Sequence, residues 1–320
     1  MPIFDLPLEE LRKYQGINPR PADFDAYWEA ALQEQRATDP DVELFKSPFQ
    51  TQFAECFDLY FTGARGDRIH AKYLRPKDSQ TSHPALLEFH GYTLNAGDWV
   101  DKLHWVAAGY SVAAMDCRGQ GGLSEDLGGV KGDTLNGHVI RGLNDAPENL
   151  LYRQIFLDTV QLARVVMEFP EVDPQRVGAM GGSQGGGLTL ACAALEPRIK
   201  RLMALYPFLC DYRRVWELDL AQDAYMGLSK YFRLFDPQHL REDEIYTKLG
   251  YIDVQHLTGR IQGEVFFITG LMDTICPPST QFAAYNKIKA AKRMAIYPDF
   301  RHGERYPGAN DQIFEFMMGL

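Results

Sequence analysis

The chain has 320 residues, 45% of them hydrophobic and 24% charged, with a formal net charge of −10 and a pI near 5.3. This composition excludes disordered and fibrous classes, and the acidic balance argues against nucleic acid or anionic membranes as partners and fits a neutral small-molecule substrate. No apolar run approaches the roughly 18 residues that span a bilayer, and Met1–Pro7 lacks the basic and apolar regions of a secretory signal.

In chain order, residues 21–36 read as an amphipathic helix, with Phe24, Tyr27, Trp28, Ala31 and Leu32 at i, i+3, i+4 spacing. Segments 54–62 and 68–75 alternate and are joined by Gly63–Asp67, which predicts a β-hairpin. Short apolar strands follow at 84–89, 111–116, 176–181, 200–206, 264–269 and 293–297. Between and after them, helices are predicted at about 98–108, 148–168, 184–195, 278–290 and 310–319. Two antiparallel strands followed by six mainly parallel ones make an α/β layer architecture, with the eight-stranded sheet of an α/β-hydrolase. No repeat or linker interrupts it, so residues 1–320 are expected to form a single domain.

Two stretches stand apart. The glycine-rich loop at 117–147 is too long for a simple connection and suggests function. Residues 208–260 are charged, aromatic and helical, an insertion expected over the strand ends or at a subunit contact. The aromatics Tyr27, Trp28, Trp216, Tyr225, Tyr231, Phe232 and Phe235 predict an interface between subunits, unless they only cover the active-site face of their own chain.

Gly181-Gly182-Ser183-Gln184-Gly185 carries the chemistry. An apolar strand before it and a small-residue helix after it give the setting of a nucleophile elbow. A phosphate-cradling turn is the other use of such glycines, but neither Gly-x-x-x-x-Gly-Lys-Ser/Thr nor Gly-x-Gly-x-x-Gly occurs at this turn. The orienting acid should follow a later strand and the base the last one. Asp273 comes after strand 264–269, although it could instead cap the next helix. His302 follows strand 293–297 and is the only histidine after position 256. In these roles His302 takes the Ser183 proton and later gives it to the leaving alcohol, while Asp273 fixes its tautomer.

Gln184 should lend one oxyanion N–H, and Tyr92, after Gly91, the other. His90 is expected to be structural. Cys117 has no base to pair with and is not expected to be a nucleophile. Arg118 is expected to pair with its neighbour Asp116. The five cysteines show no Cys-x-x-Cys pair and read as free thiols of a reducing cytoplasm, most of them packing the core. No cofactor and no metal are expected, hence activity insensitive to chelators.

With these residues in place the chain resembles the acetyl xylan esterase / cephalosporin-C deacetylase family, the seventh carbohydrate esterase family. The resemblance rests on Arg118-Gly119-Gln120, on Gly181–Gly185, on Gly270–Thr280 and on Phe282–Asn286. It implies a serine esterase that deacetylates xylo-oligosaccharides and cephalosporin C. Ser183, Asp273 and His302 would form the triad, with Tyr92 and Gln184 at the oxyanion and substrate site. It also implies a cytoplasmic homohexamer. The family commonly has Glu directly after the histidine, whereas here Gly303 intervenes before Glu304. A peptidase of the same fold would need an added propeller or a larger binding domain. A non-catalytic binding protein should lack a triad member.

Overall fold

The computed structural model describes residues 4–77, 81–129 and 137–320. Its strands are β1 (Glu43–Lys46), β2 (Ala54–Thr62), β3 (Arg68–Pro76), β4 (His83–Phe89), β5 (Ser111–Met115), β6 (Val172–Gly182), β7 (Arg201–Leu205), β8 (Glu264–Gly270) and β9 (Lys292–Tyr297). The helices are α1 (Leu8–Leu11), α2 (Phe24–Ala37), α3 (Leu103–Ala107), α4 (Leu151–Met167), α5 (Gln184–Leu195), α6 (Tyr212–Glu217), α7 (Met226–Phe235), α8 (Glu242–Leu249), α9 (Pro278–Lys287) and α10 (Ala309–Met317). All strands form one sheet in the order β1-β2-β3-β5-β4-β6-β7-β8-β9. The pairings among β1, β2, β3 and β5 are antiparallel, and those from β5 through β4 to β9 are parallel. The chain reverses its direction of winding around β4, so a crevice opens at the carboxyl ends of β4 and β6.

Alternation along each strand divides the core between the two faces of the sheet. Ala85, Leu87, Ala113, Ala179, Ala204 and Phe267 pack with α2, α4 and α5 on one face. Leu86, Val112, Met203, Phe266 and Ile268 pack with α3 and α10 on the other. Helix α5 is buried at every position and made largely of Gly, Ala, Leu and Cys. Small side chains let it lie close to β6 and β7.

Eight strands are expected and nine are present among the described residues. The extra one, β1, exposes all four of its residues, so it has no half-buried alternation for a pattern to reveal. The region expected as a helix at 98–108 splits into a 3-10 turn, Trp99–Lys102, and α3. The insertion is helical as expected, holding α6, α7 and α8. Of the loop at 117–147, residues 130–136 lie outside the described residues, as does the opening Met1–Ile3.

Most of the aromatics expected at an interface are buried within their own chain. Trp28, Tyr225, Tyr231 and Phe232 are fully buried in their own chain, and Tyr27 nearly so. They pack on one another and on α4: Trp28 stacks on Phe156 at 5.9 Å, and Phe208 meets Tyr225 edge-on at 4.4 Å. Phe208 at the start of the insertion meets Tyr92 and Tyr152 of the body at 5.8 and 6.4 Å, while of the aromatics named Phe235 is exposed, at 39%, and Trp216 partly buried.

Candidate active site

Ser183 stands between β6 and α5 with φ 56° and ψ −118°, a backbone that side-chain-bearing residues rarely adopt. The neighbouring glycines make the turn possible. A Cβ on Gly181 would lie 2.6 Å from the Phe89 carbonyl oxygen, and one on Gly185 would collide with the same oxygen outright. The turn is then locked by hydrogen bonds: Ser183 N–H donates to Leu205 O (2.9 Å), and its own carbonyl accepts from Gly187 (3.1 Å) and Phe208 (2.9 Å). Strain at one residue is held by its surroundings.

His302 lies between the other two expected residues. Its Nε2 is 3.0 Å from Ser183 Oγ and its Nδ1 is 2.7 Å from Asp273 Oδ2. Asp273 is fully buried. Its Oδ1 accepts from the Ile275 and Cys276 N–H groups (2.9 and 2.8 Å), and Gln281 Nε2 donates to Oδ2 at 3.3 Å. A carboxylate only accepts, so the imidazole proton belongs on Nδ1 and the Nε2 lone pair faces the serine hydroxyl. Asp273 does not cap α9. That service comes from Asp5, whose Oδ2 accepts the Ser279 N–H at 2.7 Å, a partner 274 positions away. Glu304 is equally specific: its Oε2 accepts the Arg301 N–H at 2.8 Å and closes the turn that carries His302. The Tyr206 ring packs 4.5 Å from the imidazole.

Next to Ser183, the Gln184 side chain is fully buried. Its Oε1 accepts from Tyr152 OH and Gln120 Nε2, both at 2.8 Å, and its Nε2 reaches His90 O at 3.4 Å. The side chain therefore joins three segments, while its backbone N–H, first in α5, has no partner within the helix. Tyr92 is half-buried, its hydroxyl 2.8 Å from His138 Nδ1. His138 Nε2 lies 2.8 Å from Gly119 O, so this ring ties the Tyr92 loop to the Gly119 turn. His90 has the structural place expected of it: Nδ1 is 2.7 Å from Gly91 O, and Nε2 accepts the Cys117 N–H at 3.0 Å. Burial holds its pKa below the ordinary histidine value.

The expected Asp116–Arg118 pair does not form. The two residues flank Cys117 and take different directions at this turn, and each finds a distant partner. Arg118 Nε and Nη2 donate to Asp158 at 2.7 Å each, Nη1 contacts Asp67, and Nη2 also reaches Ala64 O at 3.0 Å. Asp116 instead accepts from His70 Nδ1 (2.7 Å), Ala96 N–H (2.7 Å) and Leu123 N–H (2.9 Å). Burial alone would raise its pKa, but these donors outweigh it and hold the carboxyl below its usual value.

All five cysteines are free and buried. Burial pushes the Cys117 thiol well up, in keeping with a packing role. Burial pushes the Cys276 thiol well up too, but this sulfur lies on the turn that carries Asp273, where the Cys276 N–H donates to Asp273 Oδ1 at 2.8 Å. Sequence reasoning passed over this thiol, although its spacing of three from Asp273 on one tight turn was a usable signal. Among the described residues, Asp273, Cys276 and His302 are the one group whose spacing could hold a metal ion.

Comparison with known proteins follows the same lines. Residues 1–320 match the family described as acetyl xylan esterase (AXE1). The acetyl esterase Axe7A of Xylanibacter ruminicola is 28% identical over 301 residues, covering 92% of this chain. The chain spans 65% of that relative's length. The crystal structure of acetyl xylan esterase 1 from Thermoanaerobacterium sp. JW/SL YS485 is 60% identical with a TM-score of 0.97, covering 98% of this chain and 99% of that one. Acetyl xylan esterase from Paenibacillus sp. R4 is 33% identical with a TM-score of 0.93, again covering 98% and 99%. The chain belongs to the acetyl xylan esterase family and is a carboxylic ester hydrolase of the α/β-hydrolase fold.

Proposed function

We propose that the enzyme removes acetyl groups from small acetylated substrates, xylo-oligosaccharides and cephalosporin C among them, through a Ser183–His302–Asp273 triad. The observation that carries this is the position of His302, 3.0 Å from Ser183 Oγ and 2.7 Å from Asp273. Ser183 Oγ attacks the acetyl carbonyl as its proton passes to His302 Nε2. Backbone N–H groups of Gln184 and Tyr92 receive the oxyanion, and Asp273 stabilises the imidazolium. The proton then goes to the leaving sugar hydroxyl. Water, deprotonated by the same nitrogen, releases acetate from Ser183.

The acyl pocket is proposed to favour acetate, with Tyr92 and Tyr206-Pro207-Phe208 as the bulky groups that would hold back longer chains. The Tyr206 ring packs 4.5 Å from His302, and Tyr92 packs 5.8 Å from Phe208. We further take residues 1–320 as a single hydrolase domain acting in the cytoplasm, and the assembly as a homohexamer. Among the described residues no helix is long and apolar enough to cross a membrane. The hexamer follows from family resemblance alone, and light scattering that gave a monomer at micromolar concentration would refute it.

One assay panel tests the activity: p-nitrophenyl esters from acetate to octanoate, with acetylated xylose, cephalosporin C and a peptide amide alongside. The expected result is cleavage of the acetylated compounds, a fall in kcat/KM beyond acetate and no amide hydrolysis. A monotonic rise towards octanoate would contradict the pocket, and preferred amide cleavage would contradict the esterase assignment.

A further inference from the structure

A Ser-His-Asp relay has no use for a thiol, yet Cys276 lies against this one. An imidazole nitrogen of His302, a carboxylate oxygen of Asp273 and the Cys276 sulfur all lie within 4.8 Å of one another. Three points so spaced can be met from a centre about 2.8 Å from each at most, against about 2.0–2.3 Å for zinc with nitrogen, oxygen and sulfur ligands. Shifts of about half an ångström would close that gap. Two ligands come ready placed, because Asp273 and Cys276 share the turn in which the Cys276 N–H donates to Asp273 Oδ1 at 2.8 Å. Ser183 Oγ, 3.0 Å from His302 Nε2, borders the same imidazole. The mixed sulfur, nitrogen and oxygen set suits zinc-class ions and not magnesium or calcium.

We propose that Asp273, Cys276 and His302 form an inhibitory site for a zinc-class divalent cation, with the Cys276 sulfur as the ligand that gives it affinity. The inference rests on the triad reading for its effect on rate, but not for its binding. On binding, the Cys276 thiol gives its proton to solvent and the sulfur bonds the metal. The imidazole nitrogen donates its lone pair to the same ion. If that nitrogen is Nε2, the acceptor for the Ser183 proton is gone; if it is Nδ1, the contact with Asp273 is gone. Either way the relay is broken. The metal acts as an inhibitor, so a chelator should relieve its effect and never cause a loss of activity.

The experiment has two arms. In the first, Zn²⁺ is titrated against the wild-type protein and the Cys276→Ser and Cys276→Ala variants, each rate normalised to that variant's own metal-free rate. Half-inhibition should need about tenfold more Zn²⁺, or beyond, once the sulfur ligand is lost. EDTA should restore the wild-type rate, and Mg²⁺ should not inhibit. In the second arm, the full-length Ser183→Ala protein is titrated with Co²⁺. A thiolate-to-cobalt absorption band should appear and should vanish when Cys276→Ser is added. Inhibition of equal potency in the Cys276 variants, or a Co²⁺ spectrum with no thiolate band, overturns the proposal and leaves the esterase reading intact. Full turnover by Ser183→Ala would overturn the triad instead, without touching the metal-binding result.

Discussion

The turns after β5 and β6 flank the same strand, β4, and are built on opposite principles. At the β6 turn Ser183, the proposed nucleophile, sits on a strained backbone, with glycines around it and His302 and Asp273 beside it. At the β5 turn, Arg118 is buried at 1% exposure and every contact is a satisfied ion pair or hydrogen bond. Strain is concentrated at the group proposed to react, and full polar satisfaction at the group that only has to stay put. Losing the first should cost chemistry, and losing the second should cost the fold.

The sharpest way to break that contrast is at Ser183. Ser183→Ala should lower kcat by about 10⁴-fold or more, with Asp273→Asn somewhat less severe. The melting temperature of Ser183→Ala should stay within about 3 °C of wild type, since only an oxygen is lost. A variant that unfolded in step with its loss of turnover would erase the distinction.

Arg118→Met tests the other side. It leaves Asp67 and Asp158 buried without their cation, a change that costs about 3–5 kcal/mol. Urea denaturation should show the loss, and activity should fall only as the folded fraction falls. A loss below about 1 kcal/mol, the size of an exposed pair, would mean that the brace is ornamental.

How much of this could be read from the sequence follows from the reach of each interaction. The elbow was legible because the glycines, the strand and the helix that need one another are adjacent in the chain. That His302 and Asp273 would meet Ser183 was legible because strand order brings the segments after β8 and β9 beside the elbow. Arg118 was misassigned because its partners, Asp158 and Asp67, lie 40 and 51 positions away. The same holds for Asp5 on α9. The insertion's aromatics were legible as apolar but not as to what they touch, since a buried satellite core and an interface have the same composition.

The smallest effect sharpens the comparison from a third place, Asp116, which ties the loop after β4 to the loop after β5 through Ala96 and Leu123. Its folded pKa lies below the unfolded value, so its stabilisation is present above about pH 4 and lost as acid takes the pH down through the folded value. Asp116→Asn should be less stable at neutral pH, with the gap to wild type narrowing below about pH 4. Denaturation midpoints measured against pH give the result directly, and a gap constant down to about pH 2 would count against the argument.

The five sealed thiols also amount to a built-in set of clocks. Cys56 lies in β2, Cys117 after β5, Cys192 in α5, Cys210 in the insertion and Cys276 on the acid's turn, all buried. An alkylating reagent can reach each only when its own neighbourhood opens, so five labelling rates, resolved by peptide mass, would chart local opening across the native enzyme without a single mutation.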